Sequence, residues 1–311
     1  MLVYLKQPHV RAWNFQDRHR QFLQIRFPNT RIEACFNSKD FLELLPEADC
    51  VLVWHFKNEW LENAPLLKCI ATPSAGQEWI EVEPTESLRV SFGGFHGPIM
   101  AESVIGAMLY FIKAFPQSLE FQKQKKWARV KLTDRMASLQ GSHAVVWGFG
   151  KIGQAIGERL MALGCRVTGI KRDASQPERF KHSAQAVVDA KGLTGALESA
   201  DHLILALPGT DETTHLLNRD VLMKLPSSCY LYNVGRGNAC NEADLLDALN
   251  DERLAGAYLD VFETEPLPET SPLWENEKVL IQPHISAAVP KYLDWFLEEF
   301  ADRVESDANG S

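Results

Sequence analysis

Short apolar runs alternate with longer stretches of helical spacing along most of the chain. In the N-terminal third, Leu2–Leu5, Cys50–Trp54, Cys69–Ala71 and Arg89–Phe92 are apolar and bounded by polar residues, Pro or Gly, which predicts buried strands. From His143 onward the pattern returns at Ala144–Trp147, Arg166–Ile170, His202–Leu207, Tyr230–Val234, Ala257–Val261 and Val279–Gln282. Helical stretches lie between several of these runs, and such alternation predicts parallel sheets covered on both faces. Gly93, Gly94, Gly97 and Pro98 punctuate the chain between the two series. The helix expected next, from about Ala101 to Phe115, is apolar nearly all round and is read as buried, between domains. An amphipathic helix is expected from Lys291 to about Ser306, returning to the first domain, with a frayed tail at Asp307–Ser311.

A length of 311 residues corresponds to two domains, taking roughly 150 residues per domain. The net charge of −9 argues against a nucleic-acid partner, so an anionic ligand needs a local cluster of positive groups. The longest purely apolar run, Val104 to Ile112, falls short of the roughly 18 residues of a membrane span. Lys6, Pro8 and His9 precede any long apolar stretch, so no secretory signal is expected. The six cysteines form no Cys-x-x-Cys pair, which fits a reduced cytoplasmic protein rather than a disulfide scaffold. No His or Cys spacing resembles a metal site, and no G-x-S-x-G elbow is present. Phe121 to Lys131 carries Lys123, Lys125, Lys126, Arg129 and Lys131. A solvated helix face outweighs an anion site there, because these charges surround no phosphate-binding loop.

The sharpest motif is Gly148-Phe149-Gly150-Lys151-Ile152-Gly153, after an apolar run and before the helical stretch Gln154–Leu163. That strand–turn–helix context is what a dinucleotide-binding G-x-G-x-x-G requires. Gly148 allows the tight turn, Gly150 admits a pyrophosphate against the backbone, and Gly153 lets helix and strand pack closely. The helix start offers N–H groups and a positive dipole end to phosphate. A P-loop is disfavoured, because Gln154 stands where Lys is required. The second strand ends in Lys171-Arg172-Asp173. A carboxylate there would hold the ribose hydroxyls of NAD, whereas Lys171 and Arg172 attract a 2′-phosphate. NADP(H) is therefore the expected cofactor and NAD(H) the alternative, with an inward-turned Asp173 as the feature that reverses the preference.

Three ionisable residues follow, each at the end of an expected strand: Arg236, Glu265 and His284. Strand ends of an open parallel sheet are where its ligands bind. An Arg, a carboxylate and a His converging there suit reduction of a 2-oxo acid. Each alone has a structural explanation, as a turn, loop or hydrogen-bonding residue, and it is the dinucleotide loop that favours the catalytic one.

From about Ala48 to Ala288 the chain resembles the D-isomer-specific 2-hydroxyacid dehydrogenases. The resemblance rests on Gly148–Gly153, Leu207-Pro208-Gly209-Thr210-Asp211-Glu212-Thr213, Asn233-Val234-Gly235-Arg236-Gly237, Leu259–Pro268 and Pro283–Ala287. Val53-Trp54-His55 and Lys171-Arg172 are most similar to the glyoxylate/hydroxypyruvate reductase branch. The resemblance implies that Arg236 binds the substrate carboxylate, His284 is the acid/base and Glu265 is its paired carboxylate. It implies cofactor contacts from Leu207, Pro208, Thr213, Val234 and Gly235, beside Lys151 and Ile152 in the glycine turn. Asp260 resembles a residue near the nicotinamide carboxamide, or it caps a turn at a strand end. Substrate contacts are implied for Ala75, Gly76 and Gln77 in Ser74-Ala75-Gly76-Gln77, and Trp54 either lines the same cleft or is core. Gln77-Glu78 departs from the common family pattern, which leaves substrate identity open.

The expected architecture is α/β: two Rossmann-like, doubly wound parallel sheets with an interdomain cleft. Residues 1–100 and 286–311 form a flavodoxin-like substrate domain, and residues 101–285 the dinucleotide domain. The helix near Ala101 resembles a dimer-forming segment, so a homodimer is expected. The function expected is reduction of a small 2-oxo acid such as glyoxylate or hydroxypyruvate. The alternatives are a dehydrogenase for a bulkier 2-oxo acid and a dinucleotide-sensing, co-repressor-like binding protein. Formate oxidation is disfavoured, because that branch looks to carry Gln where Glu265 stands.

Overall fold

The computed structural model describes residues 1–309, which divide into two compact units, Met1–His96 with the C-terminal segment from Ala287, and Gly97–Ser286. The first unit holds β1 (Leu2–Tyr4), α1 (Asp17–Arg26), β2 (Glu33–Ala34), α2 (Ser38–Leu44), β3 (Cys50–Val53), β4 (Cys69–Thr72) and β5 (Arg89–Phe92). All its strand pairs are parallel, in the order β2-β1-β3-β4-β5. This is the flavodoxin-like order, which reverses direction at β1. Val51, Leu52, Val53, Ile70 and Ala71 are fully buried, as expected of strands covered on both faces.

α3 (His96–Ile112) leads into the second unit. Ala101, Val104, Ala107, Met108 and Ile112 form its buried stripe, while Leu109, Tyr110 and Phe111 stay half-exposed. Apolar composition all round thus buries one face only. The helix also starts five residues before the expected Ala101 and stops short of Phe115. The basic segment departs from expectation as well. It is split between α4 (Phe115–Lys123) and α5 (Arg129–Thr133), with Lys125 at φ 56 in the break. Lys123, Lys125, Lys126, Arg129 and Lys131 are all exposed.

The second sheet contains β6 (His143–Trp147), β7 (Arg166–Ile170), β8 (Ala186–Val188), β9 (His202–Leu205), β10 (Tyr230–Asn233), β11 (Gly256–Leu259) and β12 (Val279–Ile281). Its helices are α6 (Lys151–Ala162), α7 (Leu193–Glu198), α8 (Arg219–Leu222) and α9 (Glu242–Asn250). The strand order β12-β11-β10-β9-β6-β7-β8, parallel throughout, is a doubly wound sheet whose direction of progression reverses at β6. Ligands of such sheets sit beyond the strand C-termini at the reversal. β6 and β9 are buried along their whole length. Two histidines in them are structural. His143 is bonded to Thr168 Oγ1 and the Ser199 carbonyl, both at 2.8 Å, and His202 contacts Tyr232 at 3.1 Å, with burial lowering its pKa to about 4.

α10 (Tyr292–Asn309) completes the first unit, packing Leu293, Phe296, Leu297 and Phe300 into its core. The expected frayed tail is helical through Asn309, and Gly310 and Ser311 lie outside the described residues. Among the described residues no single helix is long and apolar enough to cross a membrane.

Candidate active site

Two of the three glycines in the turn answer steric demands, and the third leaves open space. Gly148 has φ +97°, and a Cβ there would sit 2.4 Å from the Ala206 carbonyl oxygen. A Cβ on Gly153 would meet the Gly148 carbonyl oxygen at 2.4 Å, so this glycine permits α6 to pack on the turn. At Gly150 nothing lies within 4 Å of an added Cβ, so the fold itself does not demand glycine there. Gly150 is also the N-cap of α6 and provides no side-chain cap for its first N–H groups. Open space over a glycine at an uncapped helix start suits a phosphate. The residues therefore fit the pyrophosphate of a dinucleotide, with Lys151 and Ile152 opening the helix beneath it.

Around the turn, β7 and β9 supply the neighbouring loops. Lys171 lies with its Nζ 6.0 Å from the Phe180 ring centre, and Arg172 reaches Glu212 Oε2 at 2.9 Å. Asp173 is not turned inward. Its carboxylate accepts from Ser175 N–H at 2.9 Å, and the Ser175 bonds hold its pKa below the ordinary value. After β9, Thr213 Oγ1 accepts from Thr210 N–H at 3.0 Å and lies 2.6 Å from the Pro208 carbonyl, closing the Pro208–Thr213 loop beside buried Leu207. Gly235 backs directly onto Leu207, whose carbonyl a Cβ would meet at 2.6 Å, and Val234 is buried.

Arg236, Glu265 and His284 follow β10, β11 and β12, which are neighbours in the sheet. His284 Nδ1 and Glu265 Oε2 are 2.8 Å apart, and the other Glu265 oxygen accepts from Phe262 N–H at 3.0 Å. The hydrogen bond to Glu265 raises the His284 pKa against the opposing effect of burial. At Glu265 burial pushes upward, but the bonds from His284 and Phe262, with the charges of His284 and Arg236, hold it below the ordinary value. The Arg236 charge acts on both partners, lowering His284 as well. One strand-end cluster thus combines a fixed cation with an ionised acid and a histidine biased toward its charged form. The pair is half in water, with side-chain exposures of 47% for His284 and 35% for Glu265.

Three residues support this cluster: Asn233 and Gly237, which have no assigned role in the sequence reading, and Asp260, which has two. Buried Asn233 accepts from Gly235 N–H and donates to the Arg236 carbonyl, both at 3.2 Å, which clamps the Arg236 turn. A Cβ at Gly237 would stand 1.9 Å from the Phe262 carbonyl, so Gly237 is what lets this turn lie against the Glu265 loop. Asp260 is fully buried and acts as the turn cap. Its carboxylate accepts from Ile285 N–H at 2.8 Å and Ser286 N–H at 3.0 Å, and its carbonyl accepts from His284 N–H at 2.8 Å. His284 itself has φ 53° in this turn. The sequence signal for Asn233 and Gly237 was their place beside Arg236. The Asn233 bonds lie within its own turn, whereas the Gly237 approach to Phe262 joins two segments distant in sequence.

In the first unit, Trp54 is core. It is 8% exposed, its indole N–H donates to the Trp13 carbonyl at 3.0 Å, and it stacks on Tyr292. In the Ser74–Gln77 loop, Gly76 N–H donates to Ser74 Oγ at 3.1 Å, so that amide is satisfied within the loop. Ala75 and Gln77 are exposed.

Comparison with known proteins adds the following. A family model described as D-isomer specific 2-hydroxyacid dehydrogenase, NAD binding domain, matches residues 105–286. Over 250 residues the chain is 34% identical to glyoxylate/hydroxypyruvate reductase A of Citrobacter koseri, covering 77% of each protein. A solved D-isomer specific 2-hydroxyacid dehydrogenase family protein from Aeromonas salmonicida is similar over 100% of this chain and 96% of its own, with a TM-score of 0.82 and 30% identity. A D-isomer specific 2-hydroxyacid dehydrogenase from Xanthobacter autotrophicus, solved with NADPH and MES, has a TM-score of 0.80 and 26% identity, covering 99% of this chain and 96% of its own.

Proposed function

The chain belongs to the D-isomer-specific 2-hydroxyacid dehydrogenases, and from that premise we propose that it reduces a small 2-oxo acid of the glyoxylate or hydroxypyruvate type with NADPH. The observation that carries the reading is the Glu265–His284 pair, 2.8 Å apart, in the field of Arg236 at the strand ends of the sheet that also forms the glycine turn. The name of the Citrobacter relative supports the substrate class.

When bound, the reduced nicotinamide supplies a hydride to C2 of the oxo acid. His284, charged through its bond to Glu265, donates a proton to the carbonyl oxygen as negative charge grows there. Glu265 engages Nδ1, which leaves Nε2 as the proton-carrying nitrogen toward substrate. Arg236 binds the substrate carboxylate and stabilises the charge developing at the carbonyl. In the oxidative direction neutral His284 takes the hydroxyl proton. Asp260 positions His284 by holding the 284–286 turn.

Cofactor preference rests on the end of β7. Lys171 and Arg172 present positive charge, while the Asp173 carboxylate is turned onto Ser175. That arrangement favours the 2′-phosphate of NADP(H) over the free hydroxyl of NAD(H). We further propose a homodimer through α4, α5 and the residues beside them, where Phe115, Leu119, Trp127, Val130 and Met136 are exposed, Trp127 at 89%. Sedimentation equilibrium should give twice the chain mass.

The functional test is absorbance at the reduced-nicotinamide band with both cofactors and a panel of 2-oxo acids. Glyoxylate or hydroxypyruvate with NADPH should give the highest kcat/KM. A higher value for a bulky 2-oxo acid, or no turnover with any, would overturn the assignment. Arg172→Ala should erode the ratio of kcat/KM for NADPH over NADH, and an unchanged ratio would refute the role of Arg172.

A further inference from the structure

The sheet order that creates the glycine turn also sets a charged pair across it. β6 lies between β7 and β9. Arg172 follows β7, and Glu212 lies on the single turn Asp211–Thr213 that follows β9. Arg172 Nη1 donates to Glu212 Oε2 at 2.9 Å, so the bond bridges the C-terminal end of β6, where Gly148 begins the turn. The fold does not need this carboxylate. Thr210 and Thr213 cap the short turn by themselves, and Glu212 is 75% exposed on its side chain against 90% for Arg172. Exposed pairs of this kind are weak and readily exchanged.

Resting on the NADP(H) reading above, we propose that Glu212 is a cofactor-discriminating residue: it holds Arg172 across the nucleotide groove in place of a phosphate, and the 2′-phosphate of NADP(H) displaces it. A phosphate monoester brings more charge and more acceptor oxygens than one carboxylate, so the guanidinium gains by the exchange. The displaced Glu212 then remains as a like charge beside the phosphate and limits its affinity. A ribose with a free 2′-hydroxyl brings no charge to the exchange and leaves the pair closed. The position acts through Arg172, so its effect should depend on Arg172 being present.

The test uses the full chain and two probes that differ only at the 2′ position, adenosine 2′,5′-bisphosphate and adenosine 5′-monophosphate, titrated calorimetrically. Glu212→Gln should bind the bisphosphate about three- to tenfold tighter, as expected for loss of one like charge at short range in water. Its affinity for the monophosphate should change less than about twofold. In an Arg172→Ala background the gain should disappear. Unchanged or weaker bisphosphate binding by Glu212→Gln overturns the proposal, and so does a gain that persists undiminished without Arg172. If Arg172→Ala alone leaves the preference for the bisphosphate intact, it is the assignment of the 2′-phosphate to Arg172 that fails, a separate result from the Glu212 comparison.

Discussion

Replacing Glu265 by Gln removes the charge that biases His284 while keeping the size of the side chain. Gln retains one carbonyl oxygen, enough for Phe262 N–H or for His284 but not for both. The wild-type bond spans 2.8 Å between Nδ1 and Oε2. A hydrogen bond to a charged group contributes about 1.5–3 kcal/mol. With side-chain exposures of 47% and 35%, solvent screening places this one toward the low end, about 1–2 kcal/mol. That corresponds to about a 5- to 30-fold loss in reductive kcat/KM at pH 8, taking about 1.4 kcal/mol per factor of ten. The sign follows from the raised His284 pKa. Reduction needs the imidazolium, so wild-type activity persists above the ordinary histidine range and falls as pH rises through the raised pKa. In Glu265→Gln that descending limb moves to lower pH, and the loss shrinks as pH drops toward 5.5. Oxidation needs neutral imidazole, so its ascending limb should move the same way. Profiles of kcat/KM against pH in both directions provide the assay. A loss of equal size at every pH, with the limbs unmoved, would refute the claim that Glu265 works through the charge state of His284.

Two glycines of one turn should respond in opposite ways. Gly148→Ala, at φ +97° and with its Cβ 2.4 Å from a carbonyl oxygen, should cost about 1–2 kcal/mol in backbone conformation alone and lower Tm further through the clash. Gly150→Ala meets nothing within 4 Å and should keep the wild-type Tm while weakening dinucleotide binding at least about tenfold, as a methyl group enters the space assigned to pyrophosphate. Thermal denaturation and cofactor titration of both variants check this, and normal cofactor affinity in Gly150→Ala would contradict the assignment. Asp260→Ala strands the Ile285 and Ser286 N–H groups, at about 1–3 kcal/mol for a buried one, so both Tm and kcat should fall, with an unchanged kcat counting against Asp260 as the support of His284.

How the sequence maps onto these elements has physical reasons. The strands β9, β10, β11 and β12 were expected to run one or two residues beyond where pairing stops. Leu207, Val234 and Val261 are buried beyond the strand ends, with Val234 N–H still donating to the Leu205 carbonyl at 3.1 Å, because the chain leaves the ladder there and packs around the site while still apolar. Pattern reading detects burial, not hydrogen bonding, and so it overruns at the functional edge. β2 and β8 went unread because a two- or three-residue edge strand leaves almost no periodicity. The glycine turn was legible because each steric demand leaves a missing side chain in a fixed local order. Arg236, Glu265 and His284 were legible because each sits just past an apolar run. Their mutual contact and the Gly237 approach join segments distant in sequence, and only the sheet order brings them together. Asp260 and Trp54 each had two readings from sequence. Geometry gives the first to the 284–286 turn and the second to the core of its unit.

The most direct test of the central claim is His284→Ala, measured for turnover and for NADPH affinity in the same preparation. Loss of a general acid typically costs about 10²- to 10⁴-fold, so kcat for glyoxylate or hydroxypyruvate reduction should fall by that much. The Kd for NADPH, read from its fluorescence, should stay within about threefold, because the glycine turn and the end of β7 are untouched. Turnover near the wild-type rate with normal cofactor binding would mean that the proton comes from elsewhere, and the mechanism built on the Glu265–His284 pair would be wrong.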